Sequence, residues 1–222
     1  SHSQPSHIRI FRKDPGAIRR RPNLAWVGGI TILPILLIPV ETAAGETRVA
    51  ASPETVKKFI ALGCRVVLER GAGRTSGFLD EAYAEVGAQL VTPGDSQAWG
   101  EADVLLCVQS PSPLDLGRLR RGALVVGLLA PYANVELDAA LKSCGLSAMA
   151  LELLPRISRA QSADALSSQA NIAGYKSVLL ASAALDRYFP MLMTAAGTVQ
   201  PARVVVLGAG VAGLQAVATA RR

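Results

Sequence analysis

Six short apolar segments recur along the chain with helix-like stretches between them: "ILLIPVE" (35–41), "RVVLE" (65–69), "QLV" (89–91), "DVLLCVQ" (103–109), "ALVVGLL" (123–129) and "SAMALELL" (147–154). Runs this short and this continuously apolar belong to strands covered on both faces, and the stretches between them are long enough to be crossover helices. After the first strand, Ser52 is placed to cap a helix with Pro53 at its first position, an apolar stripe of Val56, Phe59 and Ile60, and Gly63 as its stop. Further helices are expected around 80–86 and 134–143. The pattern is βαβα, so the expected fold class is α/β: a doubly wound, Rossmann-like parallel sheet over residues 36–170, followed by the start of a second domain of the same kind.

Composition narrows what such a chain can do. Half of the 222 residues are apolar and 18% are charged, which is a globular balance. The net charge of +6 does not point to nucleic acid, because Arg9, Arg12, Lys13, Arg19, Arg20 and Arg21 against Asp14 place +5 of it before residue 40. Residues 1–35 therefore read as a basic, disordered extension, with a targeting segment as the alternative; the chain begins without Met, as a processed or partial product would. The uncharged stretch "NLAWVGGITILPILLIPV" (23–40) holds two glycines and two prolines, and its second half is better used as a strand than as part of a membrane helix. Cys64, Cys107 and Cys144 are far apart and lack a metal-ligand pattern, which suits core thiols. The only histidines are His2 and His7, so a Ser-His-Asp or Cys-His mechanism needs a residue that the body of the chain does not carry.

Two segments carry the chemistry. In "ARVVVLGAGVAGLQAVATARR" (202–222) an apolar run leads into Gly208, Gly210 and Gly213, at the spacing of a dinucleotide-binding turn. The first glycine permits the tight turn, the second a close approach of pyrophosphate, and the third close packing of helix on strand, with free N–H groups at the helix start holding the phosphate charge. Gly208, Ala209, Gly210, Val211 and Gly213 are thus the candidate cofactor-binding residues. The acidic residue expected about 20 positions later lies beyond Arg222, so the second domain is expected to be incomplete and its nucleotide pocket with it. A glycine-rich turn that binds nothing is the plain alternative.

The other segment, "ALELLPRISRAQSADALSSQANIAGYK" (150–176), places Arg156, Arg159, Gln161, Ser162, Asp164, Ser167, Ser168, Gln169 and Asn171 after an apolar strand. Part of that hydrogen-bonding capacity is ordinary helix capping, with Ser168 or Asn171 as caps of a long helix over 171–189. Residue types alone favour a solvated linker here.

Taken together, "GETRVAASPETV", "SGFLDEAY", "LLAPYANVEL", "LELLPRISRAQSADALSSQANIAGYK" and "FPMLMTAAGTVQPARVVVLGAGVAGLQAVATARR" closely resemble the NAD(H)-binding domain of the alpha subunit of proton-translocating NAD(P)+ transhydrogenase, over about residues 36–222. The resemblance implies that the polar segment is the Arg-Gln-Asp loop, running here from 156 to 167, which orders the nicotinamide end of NAD(H). Arg156, Gln161, Asp164 and Ser167 stand at its matching positions. A guanidinium and a carboxylate can hold a carboxamide from two sides, while Gln161 and Ser167 offer neutral bonds. The reaction implied is direct hydride transfer between NAD(H) and NADP(H), coupled to proton translocation, and it needs orientation more than a general acid or base. The resemblance further implies that NADP(H) is bound by a separate domain or subunit, that this domain forms a homodimer, and that it sits peripherally on the cytoplasmic face of the inner (plasma) membrane beside a membrane-spanning proton channel. It divides the chain into the extension 1–35, a first domain 36–170, a linking helix and connector 171–200, and a truncated NAD(H)-binding domain 201–222.

Two other readings stay in view. Alanine dehydrogenase shares the architecture, and the resemblance places a substrate-binding Lys and a His at the positions held here by Gln109 and Leu129. Oxidation of an amino acid needs a proton acceptor, so that activity is not expected. The third reading is a noncatalytic remnant or dimerisation module that binds no nucleotide.

Overall fold

A computed structural model describes residues 33–221 and the backbone of two short strands, β1 (Trp26–Val27) and β2 (Ile30–Thr31), which pair antiparallel. The basic extension expected over residues 1–35 lies mostly outside the described residues. The chain divides into two compact units, Ser1–Leu154 and Pro155–Arg222.

In the first unit the order is β3 (Ile35–Ile38), α1 (Pro53–Ala61), β4 (Arg65–Glu69), α2 (Asp80–Glu85), β5 (Gln89–Val91), α3 (Ser96–Glu101), β6 (Val104–Gln109), α4 (Pro113–Leu116), β7 (Leu124–Leu128), α5 (Val135–Cys144) and β8 (Ser147–Ala150). The strands form one sheet in the order β5-β4-β3-β6-β7-β8, and every neighbouring pair is parallel. From β3 the chain winds outward through β4 and β5, returns to the far side of β3 as β6, and winds the other way through β7 and β8. The strand order therefore reverses between β3 and β6, which is the place where open α/β sheets leave a crevice at the carboxyl ends of their strands.

The continuous apolar character of the strands follows from their burial on both sides. Leu37 and Val67 join the core beneath α3, α4 and α5, together with Trp99, Leu116, Leu137 and Ala140. Their chain neighbours Leu36, Ile38, Val66 and Leu68 face the opposite core with Val56 of α1 and Tyr83 of α2. Alternate residues of one strand point to opposite faces, so a strand apolar at every position needs a helical layer on each.

Helix starts are set by side chains. The Ser52 hydroxyl accepts the Thr55 N–H at 3.3 Å, with Pro53 behind it, and Asn134 accepts the Leu137 N–H at 3.1 Å. The short helices α3 and α4 were not legible as periodic segments; Asp95 and Ser112 cap them.

The second unit contains α6 (Ala165–Ala184), the antiparallel hairpin β9 (Leu192–Thr194) and β10 (Gly197–Val199), and α7 (Val211–Ala220). Two local expectations are corrected here. The long helix runs from 165 to 184 in place of 171–189, because Asp164, and neither Ser168 nor Asn171, is its N-cap. The apolar run before the glycine turn forms no strand: among the described residues no strand lies beside it to supply the ladder, and Val205 and Leu207 are 82% and 95% exposed. Among the described residues no helix is long and apolar enough to cross a membrane.

Candidate functional site

The polar loop opens the second unit. After Pro155 the chain makes a 3-10 turn over Ser158–Ala163 and reaches Asp164, whose own N–H donates to the Gln161 carbonyl at 3.2 Å. Asp164 then accepts the Ser167 N–H at 2.9 Å through Oδ1 and the Ser167 hydroxyl at 2.6 Å through Oδ2. The Ser168 hydroxyl donates to the Asp164 carbonyl at 3.1 Å, so this serine serves the same helix start. The Ser167 hydroxyl, then its N–H, then the charge of Arg156 hold the Asp164 carboxyl below the usual carboxylate value. Structure therefore gathers Asp164, Ser167 and Arg156 into one electrostatic group. Gln161 lies on the 3-10 turn with its side chain exposed, as is that of Arg156.

At the other end of the unit, Gly208 has φ +117°, a backbone conformation that an L side chain rarely adopts. Gly210 is the N-cap of α7 without a side-chain cap, and its carbonyl accepts the first intrahelical bond, from Leu214 N–H at 2.9 Å. A Cβ on Gly213 would overlap the Gly208 carbonyl oxygen and lie 2.8 Å from its carbon, so the turn closes directly on the first turn of the helix. At Gly208 and Gly210 a Cβ would meet nothing within 4 Å. Backbone lies open at these positions, and Ala209 and Val211 are exposed beside them. A turn with exposed backbone and an uncapped helix start fits a pyrophosphate.

The first unit has its own cleft, of about 410 Å³, at the carboxyl ends of β3 and β6 where the strand order reverses. Its polar lining is engaged within the fold. Glu69, 3% exposed, accepts Val40 N–H at 2.9 Å, Gly94 N–H at 2.7 Å and Trp99 Nε1–H at 2.8 Å. Glu41 accepts the N–H groups of Val108 at 2.5 Å and Gln109 at 3.1 Å; burial pushes its carboxyl up, against the pull of those two bonds. The Gln109 carboxamide donates to Glu46 at 2.8 Å, and Glu46 is also held by Arg48 through Nε at 2.7 Å and Nη2 at 2.6 Å. Those bonds, with Arg48 first, bring the Glu46 carboxyl down to about 2. Burial pushes the Cys107 thiol up to about 12, so it offers no thiolate at neutral pH. Sequence reading did not assemble this cluster; its one signal was polar residues placed just after apolar strands that prove to be neighbours in the sheet. Among the described residues no three His, Cys, Asp or Glu side chains converge as a metal site.

A doubly wound parallel sheet followed by a glycine turn at a helix start defines an α/β protein with Rossmann-like architecture. The chain belongs to the alanine dehydrogenase/PNT family: residues 37–173 match its N-terminal domain and residues 177–222 its C-terminal domain. It is 47% identical over 192 residues to the first of the chains that make up NAD(P) transhydrogenase subunit alpha in Rhodospirillum rubrum, covering 84% of this chain and 50% of that one. Alanine dehydrogenase of Mycobacterium tuberculosis is more distant, 35% identical over 186 residues, with 81% and 48% covered. In structure, the chain is similar to the transhydrogenase of Sinorhizobium meliloti, with a TM-score of 0.81 at 49% identity over 84% of this chain and 53% of that one. An L-alanine dehydrogenase gives a TM-score of 0.74 at 30% identity, covering 84% and 52%. The chain thus spans about half the length, or less, of the curated relatives it matches.

Proposed function

We propose that this chain supplies part of the NAD(H) site of a Re/Si-specific, proton-translocating NAD(P) transhydrogenase. The observation that carries the reading is the presence, within one compact unit, of the open glycine turn Gly208–Gly213 and the Arg156, Asp164 and Ser167 group at the head of α6. In this reading the N–H groups at the start of α7 hold the pyrophosphate, with Gly208, Ala209, Gly210, Val211 and Gly213 shaping the turn. Arg156 and Asp164 hold the two sides of the nicotinamide carboxamide, and Gln161 and Ser167 complete its hydrogen bonding. Bound NAD(H) supplies or accepts a hydride, a hydrogen moving with both electrons between its nicotinamide and that of NADP(H). The chain's residues then need orient and exclude water, with no proton to move at the reacting carbon.

NADP(H) is held by a separate domain or subunit, and the proton channel by a membrane-spanning one. This portion of the enzyme forms a homodimer at the cytoplasmic face of the inner membrane, and residues 1–222 alone are inactive in hydride transfer. Residues 36–170 act as the first domain, 171–200 as the connector and 201–222 as the opening of the NAD(H)-binding domain.

The alanine dehydrogenase reading is disfavoured by two side chains. Leu129 is 1% exposed within the apolar core, and Gln109 is bonded to Glu46, so neither position offers a base. The test is made on the full-length protein assembled with its partner segments: NADH should reduce an NADP+ analogue, and L-alanine should give no NADH. Alanine-dependent NADH formation without transfer between nucleotides would overturn the proposal.

A further inference from the structure

We infer that Gly174 is a positioning residue for hydride transfer: by letting α6 lie directly against the backbone of α7, it sets the spacing between the polar loop and the glycine turn. This rests on the NAD(H) role proposed above.

Gly174 is buried in the middle of α6, where glycine is a poor helix former. Its reason for being there is the neighbour. A Cβ at 174 would overlap the carbonyl oxygen of Ala212 and lie 2.9 Å from its carbon and 3.0 Å from its Cα. All three are backbone atoms, so no change of rotamer relieves the overlap; the two helices must separate. Helix axes usually pack 8–10 Å apart according to the side chains between them, and here one of those side chains is missing altogether.

The place of the crossing gives it consequence. Ala212 is the second residue of α7, and the next residue, Gly213, closes on the Gly208 carbonyl. The first turn of α7 and the glycine turn therefore move as one block with whatever α6 permits. In the other direction α6 runs back ten residues from Gly174 to its cap Asp164, about 15 Å at the rise of an α-helix. One unbroken helix thus carries the loop proposed to hold the nicotinamide, and rests on the turn proposed to hold the pyrophosphate. Asn171 Nδ2 donates to Gln215 Oε1 at 3.3 Å, three residues to the N-terminal side of Gly174 and three to the C-terminal side of Ala212, and fixes the register of the crossing. A separation of roughly 1 Å at a near-attack geometry is enough to slow a reaction about 100-fold.

The experiment uses the full-length protein in its assembly. For Gly174→Ala, hydride transfer at saturating NADH should fall on the order of 100-fold while the Kd for NADH changes by less than about threefold. An unchanged rate, or equal losses in rate and affinity, would overturn the inference. Should Gly174→Ala fail to fold, Asn171→Ala, Gln215→Ala and the double variant decide it. Each single change should slow transfer at unchanged NADH affinity, and the double should be no slower than the slower single; no effect, or independent losses, would overturn it. A wild-type control that binds no NADH would instead remove the NAD(H) reading itself, so the two failures are distinct.

Discussion

Asp164 takes both hydrogen bonds that Ser167 can give it, the backbone N–H on Oδ1 at 2.9 Å and the hydroxyl on Oδ2 at 2.6 Å. The same carboxylate thereby starts α6 and remains charged opposite Arg156. A residue with both tasks can be dissected, because asparagine caps a helix as well as aspartate does but carries no charge.

Asp164→Asn should accordingly keep the melting midpoint of the full-length protein while slowing hydride transfer far more than it weakens binding at the adenosine end. Single-turnover transfer and titration with an adenosine nucleotide separate the two. Equal losses in both would sink the proposed role of this residue.

The ionisation of Asp164 makes a second test. Its folded value lies below the ordinary 3.8, chiefly through the Ser167 hydroxyl. A depressed carboxyl contributes stability that is present above the unfolded value and is lost as pH falls through the folded one. Ser167→Ala removes the largest cause, so the carboxyl should titrate closer to 3.8, as read from its carbon-13 shift. No upward movement would refute the assignment.

Glu46 has the same sign in the first unit. Its carboxyl drops from the ordinary 4.5 to about 2, with Arg48 as the first cause, so its contribution is intact above 4.5 and fades as pH falls through about 2. Arg48→Met should move acid unfolding of this unit to higher pH when followed by circular dichroism; an unshifted acid limb would contradict the pairing.

Glu69→Ala strands the N–H groups of Val40 and Gly94 and the indole N–H of Trp99 beside a buried void. At about 1–3 kcal/mol for each unsatisfied donor, urea unfolding should show a loss of at least about 3 kcal/mol. A loss under about 1 kcal/mol would mean that water replaces the carboxylate without cost.

Gly213→Ala drives a methyl group into the Gly208 carbonyl and must open the turn. NADH affinity of the full-length protein should fall at least about tenfold, equivalent to about 1.4 kcal/mol. Retained affinity would separate the glycine turn from nucleotide binding.

What could be seen in the sequence was local. Strands apolar at every position announced a sheet covered on both faces, Ser52 and Pro53 announced a helix start, and the spacing of Gly208, Gly210 and Gly213 announced a turn into a helix, because each depends on neighbours a few residues away. Where Asp164 and Ser168 both offered a cap, sequence could not choose between them; backbone geometry gave the helix to Asp164. Tertiary structure alone decided the strand order, which sets Glu41 against the N–H groups of Val108 and Gln109 some 67 and 68 residues away, and the burial of Glu69 beneath Trp99. It also decided that Gly174 meets Ala212. Such contacts depend on how distant segments pack once their apolar faces are covered, and no local pattern of residues encodes that distance.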